Sequence, residues 1–224
     1  MMIEKILTRN KNLFGNIFLF SLDGDNLFTL DLSVDNRELY EIDFSSTVGL
    51  SNYISEKLTQ TKTKYAVGGY AEDRIIYSRS KYFGEGTDAR TIHLGVDVWC
   101  EENTPLFAPL KSKIHSFKYN NNFGDYGATI ILEHVLENTV FYTLYGHLSK
   151  DSLNNISVGD TIQKGNKFAE IGNETENGNW PTHLHFQIIT DMLGNKGDFP
   201  GVTNKQDKSK FLELCPNPNL ILNI

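Results

Sequence analysis

The chain has 224 residues, 39% of them hydrophobic, and a formal net charge of -7. That is enough apolar material for a real core, and an acidic balance without any arginine-rich tract argues against general affinity for nucleic acid or an anionic membrane surface. Cys100 and Cys215 lie far apart and form no C-x-x-C pair. They read as structural thiols and argue against a metal site built on sulfur.

Taken in chain order, Lys5, Arg9 and Lys11 precede the apolar run LFGNIFLFSL. The run contains Gly15 and Asn16, passes straight into DGDN and offers no small-residue cleavage site, so it does not read as a secretory leader. The expectation is a hairpin over residues 16–33 around the turn Asp23-Gly24-Asp25-Asn26. With no visible export address the chain reads as cytoplasmic, and nothing approaches the ~18 consecutive apolar residues of a membrane span. Leu50, Tyr53, Ile54 and Leu58 recur at helical spacing behind the capping candidates Ser45 and Ser46, which predicts a helix from Thr47 to Thr61. Residues 1–65 are thus expected as a small α+β appendage.

From Lys64 the pattern changes. The segments TIHLGVDVW, IHSFKY, GATIILEH, VFYTLYGHL and HLHFQII are short and apolar or alternating, and turn signals such as Gly68-Gly69, Gly124-Asp125 and Gly159-Asp160 divide them. This is the pattern of a mainly β domain, a sandwich, over residues 66–200. A short helix from about Lys205 to Leu214, capped near Thr203 or Asn204, and the proline-broken tail PNPNLILNI make up residues 201–224.

Three of these segments carry imidazole. In a strand successive side chains alternate between faces, so His183, His185 and Gln187 point away from Leu184, Phe186 and Ile188. By the same rule His93, Gly95, Asp97 and Trp99 share one face, and Phe141, Thr143, Tyr145 and His147 share another. Each motif alone is a weak signal; their joint appearance on alternating strands is what matters. A catalytic zinc uses three protein ligands from His and Asp/Glu and keeps one position for water. His93, Asp97 and one member of the His183/His185 pair would supply them, leaving His147 and the other member to accept a proton or support an oxyanion. His115 and His134 sit in no motif and read as structural.

At this point the residues resemble the lysostaphin-like, or LytM-type, zinc metallopeptidases, many of which cut peptide cross-bridges in bacterial peptidoglycan. HLGVD at 93–97, APLKSKI at 108–114, YGHLS at 145–149, VGDTIQKGNKFAEIG at 158–172 and HLHFQI at 183–188 match in order and spacing. The resemblance implies one Zn2+ with a bound water on His93, Asp97 and His185, flanked by His147 and His183 as catalytic residues. It implies a β-sheet groove with a duplicated hybrid motif, and a zinc endopeptidase acting on peptidoglycan cross-bridges or stem peptides. Many members carry a tyrosine shortly before the first ligand, for which Tyr82 is the nearby residue. The segments GGYAEDRIIY, ENGNWPTHLHF and GDFPGV look like a subgroup in which this domain sits inside larger intracellular proteins. An intracellular peptidase, or a metal-binding or regulatory module without wall-lytic activity, is therefore the alternative.

Tyr145, Asn179 and Trp180 are the candidate substrate contacts, although Asn177, Asn179 and Trp180 equally suit a turn that starts the last strand. Arg74 and Arg90 are candidate cations for a substrate carboxylate. Two other functions fit less well. A biotin- or lipoyl-type carrier, suggested by FAPLKSKI and VGDTIQKGNKFAEIG, has no use for five metal-site residues, and an Fe(II) facial triad has no use for two spare imidazoles.

Overall fold

The structure, a computed structural model, describes residues 2–22 and 24–224, without the side chains of Met2 and Asp25. Asp23, part of the expected turn, lies outside the described residues. In chain order the elements are α1 (Met2–Arg9), β1 (Leu27–Leu30), α2 (Thr47–Thr61), β2 (Tyr65–Gly68), β3 (Ile92–His93), β4 (Val96–Trp99), β5 (Pro105–Phe107), β6 (Ser112–Asn120), β7 (Gly127–Leu136) and β8 (Thr139–Leu148). They continue with β9 (Thr161–Ile162), β10 (Lys167–Glu170), β11 (His183–Ile189), β12 (Val202–Thr203), α3 (Lys208–Leu214) and α4 (Asn219–Leu222).

One eight-stranded sheet, in the order β1-β2-β4-β11-β8-β7-β6-β9, organises the molecule. Its pairings are antiparallel except for β1 with β2. Because side chains alternate, each long strand sends one apolar row to one face. Val96, Val98, Ile130, Leu132, Phe141, Tyr145, Leu184, Phe186 and Ile188 form that row, and Leu106 of β5, Ala169 of β10 and Ile3, Ile6 and Leu7 of α1 cover it. The opposite face carries His147, His183 and His185 and a second apolar group around Leu94, Tyr126, Leu144 and Phe199.

The helix from Thr47 to Thr61 forms as expected. It buries Leu50 and Ile54 beside Trp99 and Trp180, and Lys62 ends it in the left-handed region. The expected hairpin over 16–33 does not form. Ile17, Phe18 and Leu22 sink into the core beside α1, and Leu27–Leu30 pairs with Tyr65–Gly68 instead. The reason is competition: those side chains bury more area under the sheet than a two-stranded ribbon could cover. The segment expected as one strand, TIHLGVDVW, is broken between His93 and Val96. The C-terminal helix starts behind Asp207, later than Thr203 or Asn204, and a further turn of helix forms inside the proline-broken tail. Residues of the N-terminal 65 enter the main core and the cluster around Trp99 and Trp180 together with the rest of the chain. Both cysteines are free thiols, and among the described residues no helix is long and apolar enough to cross a membrane.

Candidate metal centre

Strand register brings the first donors together. In the β4/β11 pair, Asp97 lies opposite His185, and His183 lies opposite Trp99. The break at residues 94–95 turns His93 back toward the same spot. Gly95 makes room there, since a Cβ at that position would stand 2.5 Å from the His185 ring. The distances are 3.0 Å from His93 Nε2 to His185 Nδ1, 3.2 Å from His93 Nε2 to Asp97 Oδ1 and 3.0 Å from His185 Nδ1 to Asp97 Oδ1. One donor atom from each of the three lies within 4.8 Å of the others.

Their outer hydrogen bonds decide which atoms carry protons. His93 Nδ1 donates to the Gly69 carbonyl at 2.9 Å, so its Nε2 keeps a lone pair. The Gln187 amide nitrogen donates to Pro200 O and Cys215 Sγ, so the Gln187 oxygen faces His185 and accepts from its Nε2 at 2.9 Å. His185 Nδ1 is then a lone pair as well. Two imidazole lone pairs and a carboxylate oxygen converge with no donor among them, an arrangement that repels itself and that a divalent cation would satisfy. Burial, then the Arg74 charge, pushes His93 down to about 4, which keeps it a neutral ligand. For Asp97, burial favours the neutral acid, but the adjacent His93 ring and the Arg74 guanidinium outweigh it and hold the carboxyl well below its ordinary range.

His147 and His183 stand alongside, their rings 4.2 Å apart. His147 Nδ1 donates to Asn177 O at 2.8 Å and His183 Nδ1 donates to Pro181 O at 2.6 Å, so each presents Nε2 as an acceptor. Burial first, and neighbouring imidazoles or Arg74 after it, lower both below the ordinary histidine value, so near neutral pH they are free bases. A β-bulge sets His147. Between Tyr145 and Leu148, β8 spends one residue more than β7, and His147 takes a φ of 62°.

That bulge overturns one expectation. Alternation put Tyr145 beside His147, but Tyr145 is fully buried on the other face, against Phe168 and Phe186, and touches no groove. Asn179 also serves the turn rather than the pocket. It has a φ of 66°, and its carbonyl accepts from Thr47 and Arg79. Trp180 does line the pocket, with its ring against Tyr77 and Phe83. Asn177 holds that turn through both its amide atoms. Arg74 meets Asp97 rather than a substrate, while Arg90 lies over Tyr82 and Phe83 in the pocket wall. His115 and His134 lie outside the pocket lining.

Sequence reasoning missed Tyr126. Its hydroxyl stands 3.5 Å from His185 Nε2, and burial keeps it a neutral phenol. No motif signalled it, because it enters from a loop.

The centre is therefore a buried His-Asp-His cluster that could hold a divalent cation, with two further imidazoles beside it. Residues 91–197 match the family description Peptidase family M23. The match falls on the segment whose motifs resemble the LytM-type family and supports that resemblance.

Three solved structures resemble the chain over part of its length. A zinc-containing peptidase from Vibrio cholerae is 25% identical over 44% of this chain and 27% of its own, with a TM-score of 0.36. The catalytic domain of lysostaphin from Staphylococcus simulans is 26% identical over 54% of this chain and 80% of its own, with a TM-score of 0.38. Csd3 from Helicobacter pylori is 22% identical over 56% of this chain and 32% of its own, with a TM-score of 0.35. The chain thus spans about a quarter to a third of the Vibrio and Helicobacter proteins and four fifths of the lysostaphin domain. No curated protein matches the chain.

Proposed function

We propose that the chain is a zinc-dependent metalloendopeptidase that hydrolyses peptide bonds in peptidoglycan cross-bridges or stem peptides. The observation that carries this is the convergence of two imidazole lone pairs and one carboxylate oxygen, with two further imidazoles beside them. Zinc held by His93, Asp97 and His185 would supply Lewis acidity, polarising the scissile carbonyl and making water a nucleophile near neutral pH. His147 and His183 then act as the site's proton handlers. Either Nε2 is free to take the proton of the attacking water, and the imidazolium so formed can donate to the developing oxyanion before it passes its proton to the leaving amine. The carbonyls of Asn177 and Pro181 fix both rings in the tautomer this requires. Tyr82, Phe83, Trp180 and Pro200 wall a pocket of about 210 Å³ over the centre.

A second reading, a cytoplasmic peptidase for short peptides, draws on burial, since none of the five residues is more than 5% exposed. A cross-linked polymer reaches such a site less readily than a peptide end. Metal analysis of purified protein followed by digestion of purified sacculi, with mass analysis of the products, tests both. Near-stoichiometric zinc with released muropeptides supports the first reading. Zinc with intact sacculi but cleaved short peptides supports the second, and no bound zinc ends both.

A further inference from the structure

Arg74 is the largest fully buried polar side chain, 1% exposed, and it lies outside the matched segment 91–197. The backbone brings it to the first motif. Residues 71–74 run beside 91–93 through hydrogen bonds from Ala71 to His93, His93 to Glu72 and Arg74 to Thr91. Its guanidinium then makes two ion pairs. Nη1 donates to Asp97 Oδ2 at 2.5 Å and Nε donates to Glu72 Oε2 at 2.6 Å, while Nη2 reaches Gly69 O at 3.3 Å. Glu72 Oε1 accepts in turn from the Leu32 amide at 3.1 Å. The space is made for the fork, since a Cβ on Gly68 would stand 2.7 Å from Arg74 Nη2.

Asp97 is the one negatively charged member of the donor set, and a carboxylate can offer a cation one oxygen or two. Here Oδ2 is engaged by Arg74, which leaves Oδ1 turned to the imidazoles. A planar guanidinium holds a carboxylate in orientation as well as charge, which an ammonium does not. The same turn fixes the other member of the first motif, because Gly69 O accepts from His93 Nδ1. With two carboxylates and a carbonyl as partners, Arg74 is not free to bind a substrate carboxylate.

We propose that Arg74 is a positioning residue that holds Asp97 as a single-oxygen metal ligand and, through Glu72, ties the centre to the N-terminal segment. This rests on the metal-site reading above. The test measures zinc affinity by chelator competition and the visible spectrum of the cobalt-substituted protein, in the wild type, Arg74→Met, Arg74→Lys and Glu72→Gln. The expected result for Arg74→Met is roughly 10–100-fold weaker zinc binding with an altered cobalt spectrum, since outer partners of ligands carry effects of that size. Arg74→Lys recovers part of the loss, and Glu72→Gln loses severalfold less than Arg74→Met. If Arg74→Met does not fold, the other two variants decide on the same readouts. A variant set that melts lower but keeps wild-type affinity and spectrum makes Arg74 merely structural and overturns the proposal. Wild type that binds neither zinc nor cobalt overturns the metal reading itself, and this proposal with it.

Discussion

The two faces of β11 are built from one strand and do opposite work. Leu184, Phe186 and Ile188 enter the main core, while His183, His185 and Gln187 face the donors of β4. Along β8 the same comparison gives a different answer, because the bulge before Leu148 sends Tyr145 to the core and His147 to the centre. Period-two alternation is a property of regular pairing, and it ends where pairing shifts.

The comparison can be broken from either side. On the donor face, His185→Ala is expected to abolish metal retention, read as zinc per chain after dialysis. His147→Ala is expected to keep the zinc and lose roughly 10²–10⁴-fold in hydrolysis, the span of a lost acid-base group. If His147→Ala sheds its metal, the division between ligand and proton handler is wrong. On the apolar face, Phe186→Ala should cost about 3–5 kcal/mol in urea unfolding through the cavity it leaves, although it neighbours His185 in sequence.

A smaller effect separates the site from the structural histidines. Burial pushes His134 down to about 4, and it hydrogen-bonds Thr143 while stacked on Phe141. Its folded value lies below the unfolded one, so between the two the unfolded chain binds more protons and stability falls as pH drops. From an unfolded value of about 6.5, the contribution lost by pH 5 is about 2 kcal/mol. His134→Gln should recover that difference when its pH 7 to pH 5 change is set against the wild type. An equal slope in both proteins would show that His134 does not titrate in this window. Smallest of all is Tyr145→Phe, which removes an acceptor of the Thr143 hydroxyl. It should cost about 1 kcal/mol of stability and leave the KM for peptide unchanged. A raised KM would return Tyr145 to the groove.

Much of the donor set was legible because its signals are local. H-x-H needs only the side-chain period of β11 to put His183 and His185 on one face opposite β4, and H-x-x-x-D keeps His93 close enough to Asp97 for the break at residues 94–95 to bring it in. The helix over 47–61 was legible for the same reason, through its own spacing of Leu50, Ile54 and Leu58. Tyr126, Gly69 and Arg74 were not legible as partners of the centre, since nothing in their neighbourhoods marks a contact with His185, His93 or Asp97. The hairpin expected near residue 24 failed for a related reason. A turn signal says where the chain can reverse, and the burial available to Ile17 and Phe18 elsewhere decided otherwise.

By itself, then, the amino-acid order determined which residue types alternate, and with that the mainly β character and the short set of imidazole and carboxylate candidates, within which alternation left His183 and His185 open. Only the tertiary structure decided that β8 would bulge, that Tyr145 would be core, and that a guanidinium 23 residues before Asp97 would take its second oxygen. The physical reason is range: alternation follows from the geometry of neighbouring residues, whereas a shift in pairing or a buried ion pair depends on what distant segments leave space for.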